Sequence, residues 1–263
     1  MIRVAVCGSG RMGSLILDTV EEQEDMQPVG VLEPLGASDP EHRLTSGTVL
    51  GIHATPEDLF AVAKPDVVVD FTNAAFTPTL VEAATKAGVR LVVGTSGVSD
   101  ATIEAWRKGC ADAGIGGVYG ANFAIGAVLL MYMTTIAARF FDSAEIIELH
   151  HDRKVDSPSG TALSTARLMR EARGRDFESN TPDLEHLEGA RGAGTGGVTI
   201  HSVRLPGFVA SQEVIFGGQG QTLTLRHDST GRDSFMPGVM LAIREVMQRN
   251  ELVVGLDALV GLK

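Results

Sequence analysis

The stretch HHDRKVDSPSGTAL, His150 to Leu163, gathers two histidines, an arginine and a lysine within five residues and then turns through Pro158-Ser159-Gly160-Thr161. An imidazole titrates near neutral pH and can deliver a proton there. An ammonium such as Lys154 attracts an anion, and Arg153 adds charge beside it. Pro158 fixes the chain ahead of a helix, so Ser159, Gly160 and Thr161 offer N–H and hydroxyl donors where the helix dipole favours negative charge. The chemistry implied is capture of a small carboxylate with proton transfer to it; the bland reading is a solvated, charged loop. Strand alternation puts His150 and His151 on opposite faces, one for the cleft and one partnered. A metal is not expected, because Lys154 would repel it and no other histidine–carboxylate spacing supports a site.

A second constellation lies at the start. VAVCGSGRMG sets Gly8, Gly10 and Gly13 as G-x-G-x-x-G between a strand and a helix. Gly8 permits the tight turn, Gly10 lets a pyrophosphate approach the backbone, and Gly13 lets helix and strand pack closely. Arg11 and Met12 open the helix whose N–H groups would meet the phosphates. Glu33 follows about twenty residues later at the end of the second strand, where a carboxylate accepts hydrogen bonds from ribose hydroxyls. It would repel a 2′-phosphate, and Pro34 rather than an arginine comes next, so the reading leans mildly to NADH over NADPH. Asp70-Phe71-Thr72 and Gly94-Thr95-Ser96 close two further strands at the same carboxyl edge, where ligands of such sheets bind. Gly94 and Thr95 would admit the nicotinamide ring, and Asp70 reads equally as a capping residue.

The elements that must hold these residues change character along the chain. Ile2–Gly8, Gln27–Glu33, Pro65–Thr72 and Val89–Ser96 read as strands, with a further one at Thr48–Ala54. Helical spacing covers Arg11 to Glu22, Thr77 to Ala87 and Ser99 to Ala113. Such alternation predicts βαβ units and a parallel, doubly wound sheet. After Asn122 the pattern becomes an apolar helix from Ile125 to Phe141, the strand AEIIELHH, a helix to Arg173 and a Gly-rich loop from Gly174 to Gly197. Three strand-like runs follow, VTIHSVRLPG, FVASQEVIFGG and QTLTLRHDS, which predict an antiparallel meander. A final helix spans Phe235 to Arg249.

Composition bounds the partners. The chain has 263 residues and a net charge of −11, which argues against nucleic acid and anionic membranes. It also means that any anion site must be built locally. The two cysteines, Cys7 and Cys110, have no metal-type spacing, so reduced thiols in a cytoplasmic protein are expected, with Cys7 a small core residue. No apolar run has spanning length, and Met1 leads straight into a strand, so neither a membrane helix nor a secretory signal is expected.

The run ELHHDRKVDSPSGTA (Glu148–Ala162) resembles the signature of the dihydrodipicolinate reductases, also called 4-hydroxy-tetrahydrodipicolinate reductases, of lysine and diaminopimelate biosynthesis. The likeness takes in GRMG, DFT, GTSG, ANFAIG (Ala121–Gly126) and the last helix. It implies a Rossmann-like doubly wound domain, residues 1–122 and 232–263, and an α+β domain with a largely antiparallel sheet, residues 123–231, for substrate and oligomerisation. The same resemblance implies His150 as proton donor with Lys154 its cationic partner. Substrate would be bound by His151, Lys154, Ser159, Gly160 and Thr161, and NADH or NADPH by Gly8, Arg11, Met12, Glu33, Gly94, Thr95 and Ala121-Asn122-Phe123. The family's loop commonly reads G-x-x-G-x-x-G, whereas this one is a residue tighter. The substrate implied is a cyclic imine dicarboxylate and the assembly a homotetramer. Closure about residues 122–125 and 231–234 would accompany turnover. Two rivals remain: another NAD(P)-dependent amino- or hydroxy-acid dehydrogenase, and a non-catalytic nucleotide sensor.

Overall fold

The computed structural model describes residues 1–36, 39–179 and 182–262. They form two compact units, Met1–Phe123 with Phe235–Lys263, and Ala124–Ser234.

The first unit runs β1 (Ile2–Cys7), α1 (Arg11–Glu21), β2 (Met26–Leu32), β3 (Glu41–Arg43), β4 (Val49–His53), α2 (Pro56–Val62), β5 (Val67–Asp70), α3 (Thr77–Ala87), β6 (Arg90–Val93), α4 (Asp100–Ala113) and β7 (Gly117–Tyr119). The second takes α5 (Ile125–Ala137), β8 (Ser143–His150), α6 (Gly160–Arg173), β9 (Ala193–Thr195), β10 (Val198–Arg204), β11 (Ala210–Gly218) and β12 (Gln221–Ser229). The chain then returns to the first unit as α7 (Met236–Val246) and β13 (Leu252–Val254).

The first sheet has the order β13-β7-β6-β5-β1-β2-β4-β3. Every pairing in it is parallel except β3 with β4. Its centre carries β-branched runs buried on both faces, as helix-covered parallel strands require: Val4, Val6, Val67, Val68, Val69 and Val92 are wholly buried. The order reverses beside β1, which puts the first glycine loop at the switch point of the sheet. Pro28 lies within β2, and the β1–β2 register slips between Val4 and Ala5, where proline has no N–H to give. α2 went unread in the sequence although Thr55 caps it through Asp58 N, Pro56 opens it and Glu57 and Asp58 fill its first turn. Cys7 and Cys110 are both buried free thiols.

The second sheet corrects the expected meander. Its order is β12-β11-β8-β10-β9, so β8 lies between β11 and β10, and β10 runs parallel to β8. Only β11 and β12 form the anticipated hairpin. The reason is that β8–α6–β10 is itself a βαβ unit, with α6 supplying the crossover a parallel pair needs. Ala144, Ile146, Ala162, Ala166, Met169, Ile200, Val214 and Phe216 fill the core between this sheet and its helices. α5 is shorter than expected, ending at Ala137. No helix of the described residues is long and apolar enough to cross a membrane.

Candidate active site

In the first unit, the backbone ahead of α1 is shaped as a phosphate cradle. Gly8 has φ +91°, and a Cβ there would lie 2.9 Å from the Thr72 methyl group. A Cβ at Gly13 would fall 1.9 Å from the Gly8 carbonyl oxygen, so loop and helix could not close on any larger residue. Gly10, the N-cap of α1, differs: an added Cβ would meet nothing within 4 Å. α1 has no side-chain cap and no acidic residue in its first turn. Its leading N–H groups, on exposed Arg11 and half-buried Met12, are thus suited to a bound anion. The residues present fit a dinucleotide pyrophosphate.

Glu33 is oriented by a residue the sequence reading passed over. Its Oε2 accepts from Ser9 N at 2.9 Å and from Ser9 Oγ at 2.8 Å, which leaves Oε1 to accept from a ligand hydroxyl. Other strand ends behave less simply. Asp70 is wholly buried, and its carboxylate accepts from Thr72 N, Thr72 Oγ1 and Thr77 Oγ1, bracing the turn and the start of α3 from below. Its side chain therefore supports the site and does not present itself to a ligand. Gly94 is required by a neighbour: a Cβ there would lie 2.2 Å from the Phe71 ring. That ring packs directly against the Gly94 backbone, so no larger residue fits there. Phe71 also packs on Phe123, centroids 5.3 Å apart, and Phe123 is buried. Thr95 is buried, whereas Ser96 and Ala121 are exposed and Asn122 is half-buried.

In the second unit, β8 delivers His150 at its end and the turn that follows delivers Lys154. His150 is half-buried and His151 exposed. β8 ends at His150, so His151 lies beyond the strand, and the partnered histidine is His150: its Nδ1 lies 2.5 Å from Glu148 Oε2. Glu148, two residues earlier on the same strand face, is wholly buried. Arg204 donates to it through both terminal nitrogens, Nη1 to Oε2 at 2.9 Å and Nη2 to Oε1 at 2.7 Å. Ser159 N adds a bond at 3.2 Å to Oε1. Breaking such a buried pair on one side costs roughly 3–5 kcal/mol, so the two charges stand or fall together.

These contacts set the electrostatics. Burial opposes ionisation of Glu148, but bonds from Arg204, Ser202 and His150 outweigh it and hold the carboxyl below its ordinary range. Burial lowers the pKa of His150; the Glu148 carboxylate pulls it upward, while Lys154 and Arg204 oppose that pull. With Nδ1–H turned to Glu148, the proton available for transfer is on Nε2.

Lys154 Nζ pairs with Asp156 Oδ1 at 2.6 Å, a partner the sequence reading did not anticipate. At the start of α6, the buried Ser159 caps the helix, its Oγ accepting from Ala162 N at 3.2 Å. Its N–H, expected to face the substrate, goes to Glu148; the hydroxyl proton and the N–H groups of Gly160 and Thr161 are what the helix start offers a carboxylate. Gly160 is exposed, and a Cβ there would meet nothing within 4 Å. Among the described residues, no group of three or more histidine, cysteine or acidic side chains could hold a metal ion. Glu148 was within reach of sequence reasoning as the i−2 neighbour of His150 on one strand face. Arg204 was not, because only the β8–β10 pairing brings it there.

Residues 2–123 match the sequence profile of the dihydrodipicolinate reductase N-terminus, and residues 126–260 match that of its C-terminus. A protein of Dehalococcoides mccartyi named 4-hydroxy-tetrahydrodipicolinate reductase is 44% identical over 263 residues, covering 99% of both chains. One of the same name from Geobacillus kaustophilus is 46% identical over 259 residues, 97% of this chain and 98% of its own. The structure of a dipicolinate-bound dihydrodipicolinate reductase from Paenisporosarcina sp. TG-14 superposes with a TM-score of 0.87 at 41% identity, covering 98% of this chain and 99% of that one. An amine dehydrogenase from Mycobacterium smegmatis, at a TM-score of 0.65 and 14% identity over 97% of this chain and 95% of its own, shares the fold alone. The family match and these relatives, with the doubly wound sheet and its glycine loop, make the chain an NAD(P)H-dependent oxidoreductase. Within that class, the chain belongs to the dihydrodipicolinate reductase family.

Proposed function

We propose that this chain reduces the conjugated cyclic imine dicarboxylate derived from 4-hydroxy-tetrahydrodipicolinate to tetrahydrodipicolinate; its full-length relatives carry the name 4-hydroxy-tetrahydrodipicolinate reductase. The observation that carries the assignment to residues is the His150–Lys154–Thr161 cluster, a histidine held at Nδ1 with a cation and a helix start in the same unit. The reduced nicotinamide coenzyme, when bound, supplies a hydride to the ring carbon conjugate to the imine. His150 gives its Nε2 proton to the neighbouring ring carbon as general acid. Lys154 leaves Asp156 for a substrate carboxylate and stabilises charge developing on the ring. His151, Ser159, Gly160 and Thr161 bind the carboxylates, and residues 124–234 make up the substrate unit.

For the coenzyme, Gly8, Gly10, Arg11, Met12 and Gly13 hold the pyrophosphate. The reading favours NADH, because the Glu33 carboxylate, fixed by Ser9, would face and repel a 2′-phosphate. The outward face of the second sheet carries half-buried Ile147, Leu149, Val203 and Ile215, which supports assembly into a homotetramer through that sheet. Buried free thiols at Cys7 and Cys110 support a cytoplasmic setting. The deciding measurement is kcat/KM for NADH and for NADPH on the dihydropyridine dicarboxylate. Turnover with a clear NADH preference is expected. No turnover sinks the activity; an NADPH preference sinks the Glu33 argument alone.

A further inference from the structure

The proposed proton donor, His150, is half-buried at the end of a strand, and its ring is held at Nδ1 by a carboxylate. That carboxylate, on wholly buried Glu148, has contacts in two directions. One oxygen meets His150 Nδ1 and Arg204 Nη1; the other accepts from Arg204 Nη2 and from the N–H of Ser159, the residue that caps α6. Arg204 Nη2 also donates to the Asp156 carbonyl oxygen at 2.7 Å, which ties down the turn bearing Lys154. A single buried ion pair thus touches the strand that carries the imidazole, the turn that carries the ammonium and the start of the helix that cradles the anion.

We propose that Glu148, clamped by Arg204, is the positioning residue of the reaction: it sets the tautomer and aim of His150 and locks that ring to the α6 anion cradle. The inference rests on the assignment of His150 as proton donor. Its physical basis is that a carboxylate at Nδ1 keeps the hydrogen there, so the exchangeable proton of the imidazolium leaves from Nε2. The second consequence is geometric. Because Ser159 N and His150 Nδ1 share one rigid acceptor, donor and substrate carboxylate keep a common register, which a general acid needs for efficient transfer. The charges facing the ring are Glu148 from its own strand, Lys154 from the following turn and Arg204 from β10; the start of α6 brings only neutral groups.

The test is a cycle of Glu148→Gln, His150→Gln and the double variant, with kcat, KM and the pH profile of kcat/KM measured for each. Glu148→Gln keeps the shape and removes the charge. It should lower kcat roughly tenfold to a hundredfold with a smaller change in KM. The alkaline limb should move to lower pH, because the imidazolium loses the anion that stabilises it. Added to His150→Gln, it should slow the enzyme little further, since the group it positions is already gone. Full additivity in the double variant, or an unmoved alkaline limb, overturns the proposal. Wild-type kcat in His150→Gln instead overturns the proton-donor assignment beneath it. Nitrogen-15 NMR of the unmutated protein gives a readout free of folding effects: neutral His150 should be the Nδ1–H tautomer, and an Nε2–H tautomer overturns the proposal.

Discussion

His150 and Lys154 lie four residues apart in the chain, but their surroundings give them different work. The imidazole is held at Nδ1 against buried Glu148, whereas the ammonium has a partly exposed partner in Asp156, which the proposed role requires a substrate carboxylate to displace. Removing the first should therefore affect the chemical step and removing the second should affect both binding and chemistry. His150→Gln is expected to lower kcat by roughly a hundred- to ten-thousand-fold with little change in KM. Lys154→Ala should lower kcat and raise KM together. The pH dependence follows from the sign of the His150 shift. In the proposed role as proton donor the active form is the protonated one, and burial places its titration below the ordinary imidazole value. Activity should thus fall as pH rises through that lowered pKa. A kcat/KM profile flat from acid to well above neutrality would contradict this.

At the scale of elements, the first loop and α1 separate two roles that glycine plays in one motif. Gly13 is a packing glycine, since a Cβ there runs into the Gly8 carbonyl, while the space beside Gly10 is open. Gly13→Ala is expected to destabilise the first unit by roughly 1–3 kcal/mol, as overpacking does, and to weaken NADH binding as well. Gly10→Ala should leave the melting temperature of the free protein unchanged and remove most of the stabilisation that added NADH confers. Thermal melts with and without coenzyme distinguish the two; equal losses in both variants would refute the division. Elements were also where local reading was least sufficient. β8 reads plainly as a strand from its alternation, but its neighbours do not. Three later runs look like a meander because each is joined to the next by glycine-rich turns. The structure instead pairs β10 with β8 in parallel, and that pairing brings Arg204 to Glu148, 56 positions apart.

For the whole molecule, two consequences can be measured. The outward face of the second sheet alternates half-buried Ile147 and Leu149 on β8 with Val203 and Ile215 beside them. On the proposed assembly through this sheet, a charge placed there, as in Ile147→Asp, should lower the mass seen in light scattering; an unaltered mass would remove this sheet from the assembly. The second consequence concerns acid. Asp142 is held below its ordinary value first by its bond from Arg173; at Glu145 and Glu148 burial opposes ionisation but the bonds from Arg191 and His201, and from Arg204, outweigh it. Groups with lowered folded pKa values stabilise the fold fully above their ordinary range, and that stability is lost as pH falls through the lowered values. The melting temperature should fall gently below neutral pH, where unfolding lets buried His150 and His227 take up protons, and more steeply below about pH 5 as the carboxylate pairs are lost. A level curve down to pH 3 would show that these pairs contribute nothing.

Sequence alone determined what depends on neighbours along the chain: the glycine loop between β1 and α1, the acidic residue closing β2, the buried valine strands, the start of α6, and the His150–Thr161 cluster. These follow from backbone sterics and from periodicity, which act over a few residues. Tertiary structure alone decided that Arg204 meets Glu148, that Phe71 occupies the space above Gly94, that Ser159 gives its N–H to a carboxylate, and that the last strand, β13, rejoins the first sheet beside β7. Those contacts join residues distant in the chain. They form because buried charges and unpaired N–H groups must find partners once water is excluded, and the partner available is set by which strands lie side by side.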